Sequence, residues 1–486
     1  MNFFSAILKR SFFFGFIFFV VAMVLWIDRT FGRPSLDQIH FHIRAWIVHP
    51  TTFNIASVIH FVVLGAGLSL LGGFFVAGAE KKICLCLESH FEKSRTLCNV
   101  IKRIPVFFFL LFLLYSFLLF DGHLYLYNHR YVSFLEKNNV QVNVVSNQSQ
   151  RTKNLIHIYV ESLDMALTDS NYFGQNLLSH LTAMNGVRFS KFQQALGTGW
   201  TIAGIASSQC GLPIRPEISL DPKQATMGHF DPVLNISNYV CLGNLLKKAG
   251  YHNVFMGGAD SHFTNKLKYL LDHGYDEVYG LDDWKKKGIF KGSDMKNLGL
   301  SDQQLFEEAK KKLLELKQSN QHFQLTILTL DTHDPGEQSN ECAIPYDPHF
   351  PISSKAKCTD QIVSSFVQWV QKNHLDQNTQ IVIQGDHTGA FVYPPQGRQD
   401  RSIFNLFIPD QKNEEWKTCG DEILHFDFAP TILTFLGFEI PGQRMGIGVN
   451  LLCKDQVLQS STNDPFLHQR KNFLKSLKSM IGDFDG

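Results

Sequence analysis

The sequence NLIHIYV at residues 154–160 is a short, mostly apolar run that ends directly at the acidic residue Glu161. Three similar runs follow it in the chain, at residues 254–256, 324–330 and 380–383. Stretches with helical patterning lie between these runs, for example at 242–249 and 302–316. Short β-branched runs that alternate with helices are typical of an α/β sandwich built on a mostly parallel sheet. About 300 residues are enough for one large core of this kind.

The residues that follow these runs carry the chemistry. In an open parallel sheet, functional groups collect at the carboxyl ends of the strands. Three of the four runs end in such groups, namely Glu161, Asp331-Thr332-His333 and Gly385-Asp386-His387. A single Asp or His in this position is commonly a cap or a turn residue. Three of them at one edge of a sheet predict a functional site.

A metal is the first expectation for this site. Glu161, Asp386 and His387 together offer the mixed oxygen and nitrogen ligands that suit a divalent cation such as Mn²⁺ or Zn²⁺. A metal site that performs chemistry also needs a nucleophile or an open position. The segment GTGWTIAG at 197–204 offers a hydroxyl at Thr201, where a helix is expected to begin, and its glycines allow the backbone to approach a ligand. By itself, such a segment is usually an ordinary helix cap.

Four motifs, taken in order, resemble a known family. They are VESL at 160–163, GTGWTIAGIASSQCGLP at 197–213, DTH at 331–333 and GDH at 385–387. Together they resemble the phosphoglycerol transferases of bacterial envelopes, which include lipoteichoic acid synthases and the enzymes that decorate periplasmic glucans. The resemblance covers roughly residues 150–450 and is closest to the glucan-modifying branch, because of the TIAG and SQCG blocks. It implies a sulfatase/alkaline-phosphatase-like sandwich with a mostly parallel central sheet.

The resemblance also implies roles for individual residues. Thr201 would be the catalytic nucleophile, and His333 would contact the substrate phosphate or serve the proton transfers. The implied metal is most often manganese, with Zn²⁺ or Mg²⁺ as alternatives. Its ligands would be Glu161, Thr201, Asp386 and His387.

Two more residues are expected to bind substrate. They are Trp200, directly before the nucleophile, and Lys266, which aligns with a basic residue that holds glycerol phosphate in the family. Lipoteichoic acid synthases have Trp and Arg where Thr264 and Lys266 stand here, which favours the glucan-type branch and leaves the phosphate contacts open. A solvated helix surface is the alternative for Lys266. Asp427 and Pro430 resemble a structural segment of the superfamily.

The implied activity moves phosphoglycerol from phosphatidylglycerol, through a covalent threonine intermediate, to an envelope glycan or a glycerol-phosphate acceptor. Two alternatives stay open: a phosphoethanolamine transferase of the same fold, and an inactive sulfatase-fold module that binds envelope polymers. A sulfatase is disfavoured, because CGLPIR at 210–215 has its Pro and Arg one position too late for the C-x-P-x-R pattern.

Charge is distributed unevenly along the 486 residues. Overall, 45 basic and 44 acidic side chains give a net charge of +1, which argues against a basic nucleic-acid-binding protein. Residues 1–120 hold 21 of the 43 Phe residues, with 11 basic and five acidic side chains. The remainder holds 34 basic and 39 acidic side chains. A membrane part and an exported part are therefore expected.

The membrane part is expected to be a bundle of about three transmembrane helices. Its uncharged stretches are 11–27, 55–79 and 104–120. A signal peptide is the alternative for the first stretch, but no small-residue cleavage site follows it. The loop between the second and third stretches has six basic residues, against three in the loop between the first two. The positive-inside rule then places the N-terminus and the loop at 80–103 in the cytoplasm.

Everything after Asp121 is then expected on the outer, periplasmic face of the bacterial cytoplasmic membrane, with the lipid bilayer as a partner. Residues 40–50 are expected to lie either in the membrane interface or in an ordinary loop. The predicted domains are a transmembrane domain at 1–122, a linker at 123–150, a catalytic domain at 151–455 and a C-terminal tail at 456–486.

Cysteine usage agrees with this topology. Three cysteines lie in the predicted cytoplasmic loop and six lie in the exported part. An even number in an oxidising compartment favours disulfides, and scattered thiols are the alternative. Sequential pairing is expected, which joins Cys210 to Cys241, Cys342 to Cys358 and Cys419 to Cys453.

Overall fold

The chain forms two compact units, residues 1–128 and 129–486. The computed structural model describes residues 3–31, 39, 55–90, 94–119, 134, 137–140, 142, 152–195, 197–213, 239–290, 298–333, 342–347, 351–389, 401–410, 416–454, 466 and 469–472. Most of the predicted linker and tail, and the whole segment at 40–50, lie outside these residues.

The first unit consists of three long helices in its described part. They are α1 (Phe3–Phe31), α2 (Ile55–His90) and α3 (Ser94–Leu119). Two stretches, Leu8–Ile27 and Thr96–Leu118, are long and apolar enough to cross a membrane. They coincide with the first and third predicted spans. The middle predicted span lies within α2, which does not reach the same standard over the described residues, so a three-span bundle stays a prediction.

Helices α1 and α2 pack closely through small residues. A Cβ atom on Gly73 would lie 2.4 Å from the backbone nitrogen of Gly15 and 2.4 Å from the carbonyl oxygen of Ser11. Close backbone approach through small residues is the usual way in which helices associate in a membrane. Nearby, the Arg10 guanidinium binds the Glu80 carboxylate, with Nε 3.0 Å from Oε1. These contacts hold the two helices side by side.

The second unit is built on a six-stranded sheet. Over its described residues the unit has twelve strands, and six short ones lie outside this sheet. All are β1 (Asn154–Val160), β2 (Lys191–Gln193), β3 (His252–Gly257), β4 (Glu277–Tyr279), β5 (Phe323–Leu328), β6 (Thr379–Gly385), β7 (Asn405–Ile408), β8 (Trp416–Thr418), β9 (Glu422–Leu424), β10 (Arg444–Met445), β11 (Gly448–Val449) and β12 (Leu452–Lys454). The strand order in the main sheet is β4-β3-β5-β1-β6-β7, and every pair is parallel except β6 with β7.

Helices cover the sheet on both faces. They are α4 (Ser170–Phe173), α5 (Ser179–Ala183), α6 (Thr201–Cys210), α7 (Leu242–Lys248), α8 (Lys266–Asp272), α9 (Leu281–Lys286), α10 (Asp302–Gln318), α11 (Pro351–Lys372) and α12 (Phe428–Phe435). On one face Ile156, Ile158 and Val160 of β1 belong to an apolar core with residues of α10 and α11. The helices therefore bury the hydrophobic face of the central strand.

The opposite face of the same strands mixes apolar and polar residues, and its Leu155 belongs to a second apolar core with residues of α7 and α12. His157 and Tyr159 of β1 and Gln324 and Thr326 of β5 are buried there. The Tyr159 hydroxyl lies 2.8 Å from the Ser208 hydroxyl of α6, which links the central strand to that helix. Hydrogen bonds of this kind offset the cost of burying polar groups.

The strand and helix predictions are confirmed with small shifts. The first strand has the predicted bounds, and α6 begins at Thr201 as expected. The strand predicted at 324–330 is β5, which ends at Leu328, two residues earlier than predicted. The antiparallel edge strand β7 was not predicted.

All three expected disulfides are present, joining Cys210 to Cys241, Cys342 to Cys358 and Cys419 to Cys453. A fourth, unexpected disulfide joins Cys84 at the end of α2 to Cys98 at the start of α3. The two Cα atoms are 5.4 Å apart.

Candidate active site

The carboxyl ends of β1 and β6 bring the three predicted metal ligands together. One ligand atom from each of Glu161, Asp386 and His387 lies within 4.8 Å of the others. The His387 Nε2 atom is 3.3 Å from Glu161 Oε1 and 3.4 Å from Asp386 Oδ2. Neighbouring parallel strands end side by side, so residues distant in sequence meet at this edge.

Ser162 fixes both carboxylates, a role that the sequence did not reveal. Its φ of +53° is the left-handed conformation, which is uncommon for a residue other than glycine. In that conformation its backbone N–H donates to Asp386 Oδ1 at 2.8 Å, and its hydroxyl donates to Glu161 Oε1 at 2.8 Å. Its position directly after Glu161 was the only signal in the sequence.

The loop after β5 holds the backbone of Glu161. The N–H of Glu161 donates to the Thr329 hydroxyl at 2.9 Å, and the Thr332 hydroxyl donates to the Glu161 carbonyl at 2.5 Å. The buried Asp302 carboxylate accepts the N–H of Leu330 at 2.6 Å, which anchors this loop to α10. The loop that carries His333 is thereby tied to the ligand on β1.

The electrostatics of the site favour a bound cation. Burial opposes ionisation of Glu161, but the hydrogen bond and charge of His387 outweigh it and hold the pKa of Glu161 below its usual range. Burial and the Glu161 charge raise the pKa of Asp386. Burial opposes protonation of His387, yet Asp386 and Glu161 together raise the pKa of that imidazole well above its ordinary value. Two buried carboxylates compete for one positive group, so a divalent cation would relieve their repulsion.

The hydrogen bonds of the ligand side chains also leave atoms available to bind a metal. The Asp386 Oδ2 atom is buried and accepts no hydrogen bond from the described residues. The His387 Nδ1 atom lies 2.8 Å from the Thr388 carbonyl, which leaves Nε2 directed towards the carboxylates. A ring nitrogen held by a backbone carbonyl is the usual arrangement for a metal-binding histidine.

Thr201 stands at the start of α6, beside these ligands. Its hydroxyl donates to Glu161 Oε2 at 3.2 Å. A Cβ atom on Gly204 would lie 2.0 Å from the Asp386 carbonyl oxygen, so this glycine allows close packing of α6 against the ligand loop. We expected the glycines of the segment to serve approach to a ligand, but Gly204 serves approach to the protein backbone. His425 Nε2 lies 2.7 Å from the same Asp386 carbonyl.

Lys266 is a buried residue at the start of α8. It is 5 % exposed, which removes the alternative of a solvated helix surface. Burial lowers the pKa of its amine, while the negative charges of Glu161, Asp260 and Asp386 favour the protonated form. The two residues before it, Thr264 and Asn265, have φ values of +59° and +56°.

The remaining two predicted residues are also close to the nucleophile or the ligands. Trp200 directly precedes α6 and is 4 % exposed. His333 is half-buried, and its charge contributes to the lowered pKa of Glu161. The His333 Nδ1 atom is buried without a hydrogen-bond partner among the described residues. The substrate contacts of both residues stay predictions.

The second unit resembles known proteins in sequence. Residues 153–438, more than half of the chain, match the family model described as sulfatase.

The chain belongs to the sulfatase family.

The sulfatase-family chain is 31 % identical over 354 residues to phosphoglycerol transferase I of Citrobacter koseri, and 32 % identical over 354 residues to the same enzyme of Salmonella arizonae. The matched region covers 68 % of this chain but only 44 % of each relative, so the chain spans less than half the length of these curated relatives.

Solved structures with some similarity include an alkaline phosphatase superfamily protein from Vibrio parahaemolyticus, with a TM-score of 0.48, 20 % identity and coverage of 64 % of this chain and 75 % of that one. Another is the Streptococcus pyogenes phosphoglycerol transferase GacH, with a TM-score of 0.41, 16 % identity and coverage of 72 % and 90 %.

Proposed function

We propose that this protein is a membrane-anchored phosphoglycerol transferase. Phosphatidylglycerol would be the donor, and an envelope glycan or a glycerol phosphate would be the acceptor. The observation that carries the proposal is the 3.2 Å hydrogen bond from the Thr201 hydroxyl to Glu161, at the edge of a buried carboxylate and histidine cluster. The identity to enzymes named phosphoglycerol transferase I supports it.

The proposed reaction has two displacement steps. The Thr201 oxygen attacks the donor phosphorus, the bond from phosphorus to the diacylglycerol oxygen breaks, and diacylglycerol leaves with a proton. The glycerophosphoryl group is then bonded to Thr201. An acceptor hydroxyl attacks the same phosphorus, loses its proton and releases Thr201. His333 is proposed to carry protons to and from these oxygens, since it belongs to the loop that binds Glu161.

Glu161, Thr201, Asp386 and His387 would hold the divalent metal of this site. Manganese is the predicted ion, with zinc and magnesium as alternatives. When bound, such an ion lowers the pKa of a coordinated hydroxyl and offsets negative charge on phosphoryl oxygens. The protein supplies the orientation of the ligand side chains, because Ser162 and the Thr388 carbonyl hold them in place.

Lys266 is proposed to bind the phosphoryl group, and Trp200 to shape the site next to the nucleophile. The lysine amine is buried, and the negative charges of Glu161, Asp260 and Asp386 favour the protonated form that an incoming phosphate would meet. The two apolar N-terminal helices suggest membrane anchoring. An enzyme held at the outer face of the cytoplasmic membrane would stay close to its lipid donor.

Replacement of the nucleophile tests the proposal. We expect Thr201→Ala to lower transfer of labelled phosphoglycerol by roughly 10⁶-fold, as for loss of a catalytic nucleophile elsewhere. The full chain in phosphatidylglycerol micelles, followed by mass spectrometry of the peptide that contains Thr201, should show a glycerophosphate adduct. Ser207→Ala is the matched control, because it removes a hydroxyl from the same helix that has no partner among the described residues.

The same experiment separates the alternatives. An adduct that forms only with phosphatidylethanolamine would favour the phosphoethanolamine transferase. Unchanged transfer by Thr201→Ala would contradict the covalent mechanism. A wild-type chain that binds envelope polymers but forms no adduct with either lipid would favour the binding module.

A further inference from the structure

Gln194 lies between the two segments that carry the nucleophile and a predicted metal ligand. It follows β2 directly, and its side chain is exposed. On one side it contacts Thr388, the neighbour of His387. On the other side it approaches Gly199, two residues before Thr201. No sequence motif singles it out.

The orientation of its amide is fixed by one donor that cannot be reversed. The backbone N–H of Thr388 donates to Gln194 Oε1 at 2.8 Å, and the Thr388 hydroxyl donates to the same atom at 2.9 Å. A backbone N–H is always a donor, so the atom that it meets must be the amide oxygen. The amide nitrogen therefore points away from Thr388.

That nitrogen is directed towards the nucleophile segment. A Cβ atom on Gly199 would lie 2.9 Å from Gln194 Nε2, closer than to any other atom of the Gln194 side chain. Among the described residues, neither N–H of this amide has a hydrogen-bond partner. A fixed amide group at an exposed edge, with two unused donors, is suited to bind an oxygen of a ligand.

We propose that the amide nitrogen of Gln194 donates a hydrogen bond to an oxygen of the transferred phosphoglycerol group, which makes Gln194 a substrate-binding residue. The inference rests on the proposed function, because the position of that group follows from attack by Thr201. Its phosphoryl oxygens and its glycerol hydroxyls share the chemistry that Gln194 would recognise, an oxygen that accepts an N–H.

The variant Gln194→Glu isolates the amide nitrogen. Glutamate has the same shape and keeps an oxygen that accepts both bonds from Thr388, but it replaces the N–H donors with an anionic oxygen. We expect its kcat/KM for phosphoglycerol transfer to fall by about 10- to 100-fold, and that of Gln194→Ala by about 10-fold. The assay uses the full chain in micelles that contain phosphatidylglycerol.

Gln193→Glu is the matched control. It introduces the same charge one residue earlier, where a strand side chain points to the opposite face, and its rate is expected to stay within twofold of the wild type. The two Gln194 variants should melt at the same temperature as the wild type, because the Gln194 side chain is exposed.

Two results would overturn the inference. If the activity of Gln194→Glu stays within twofold of the wild type, the amide nitrogen does not bind the substrate, and the contact with Thr388 is the role that Gln194 keeps. Full activity of Gln194→Ala together with loss in Gln194→Glu would show that the new charge alone matters. In the same assay, Thr201→Ala tests the proposed function separately. If the Thr201→Ala variant kept full activity, the covalent mechanism itself would be contradicted, and not only the Gln194 contact.

A second donor distinguishes the two kinds of oxygen. Phosphatidylethanolamine has the phosphoryl oxygens but lacks the glycerol hydroxyls. If the adduct on Thr201 forms from both lipids, equal losses for both donors assign the contact to a phosphoryl oxygen. A loss confined to phosphatidylglycerol assigns it to a hydroxyl.

Discussion

Glu161 connects three segments of the site. Its backbone is held by Thr329 and Thr332, and its carboxylate accepts hydrogen bonds from Ser162 and Thr201. A residue so constrained needs little reorganisation during a reaction, which is the condition for strong electrostatic stabilisation of a transition state. Its geometry depends on three separate segments that meet at one strand end.

The contact between Gly204 and Asp386 leads to a prediction at the level of a single atom. Gly204→Ala should reduce transfer activity strongly and lower the free energy of unfolding by about 1–3 kcal/mol, because the added Cβ overlaps the Asp386 carbonyl and displaces α6. Activity assays and urea unfolding would measure both effects. Gly420→Ala is the control, since a Cβ there meets no atom within 4 Å. Equal behaviour of the two variants would contradict the prediction.

His157 predicts a dependence of stability on pH. Burial lowers its pKa to about 3, against the opposing hydrogen bond to Gln384. Below the ordinary value of 6.5, the unfolded chain binds a proton at this site that the folded chain does not. The stability contribution is therefore complete above pH 6.5 and is lost as pH falls towards 3, at up to about 1.4 kcal/mol per pH unit.

The variant His157→Gln isolates this contribution from other titrating groups. Urea unfolding of the full chain in detergent, followed by tryptophan fluorescence at several pH values from 7 to 4, should show a shallower loss of stability in the variant. Identical pH dependence in the two proteins would contradict the assignment.

At the scale of elements, the apolar runs predicted the strands because burial on the sheet selects β-branched residues. NLIHIYV became β1 with unchanged bounds, and the polar residues after β1, β5 and β6 met at one edge as parallel topology requires. The contacts of Ser162 and Gln194 could not be predicted. They depend on a left-handed φ and on the distance between two loops, which no local pattern encodes.

The disulfides allow a matched test of what anchors the nucleophile helix. Cys210 ends α6, and its bond to Cys241 closes a separation of 31 residues; the bond between Cys419 and Cys453 closes one of 34. Chain entropy is therefore nearly equal for the two bonds, and paired Cys→Ala variants should each lose about 2–4 kcal/mol of stability. Only the first pair should also lose transfer activity, because Thr201 begins the same helix.

Circular dichroism melts and transfer assays below both melting temperatures would measure these effects. Equal activity loss for the two pairs would show that the Cys210–Cys241 bond supports the fold and nothing more specific at the site.

At the scale of the whole molecule, the uneven charge of the chain and its cysteines both indicate on which side of the membrane the loop at 80–103 lies. The predicted orientation places Cys84 and Cys98 in the cytoplasm, whose thiol systems keep cysteines reduced. The structure nevertheless places these two residues within disulfide distance, with Cα atoms 5.4 Å apart. Proximity allows the bond, and the compartment decides whether it persists in the cell.

Thiol trapping in intact cells gives the final prediction. Alkylation with N-ethylmaleimide before lysis, followed by mass spectrometry, should find Cys84, Cys86 and Cys98 alkylated, and the six later cysteines in three disulfides. Mild oxidation of isolated membranes should then join Cys84 to Cys98, because α2 and α3 hold them together. If the Cys84–Cys98 bond is already present in cells, the loop lies on the oxidising side. In the three-span topology, the span at 104–120 would then place the residues after 121 in the cytoplasm. Disulfides from Cys210 onward would not persist there. Finding both sets of disulfides in cells would therefore contradict the three-span topology.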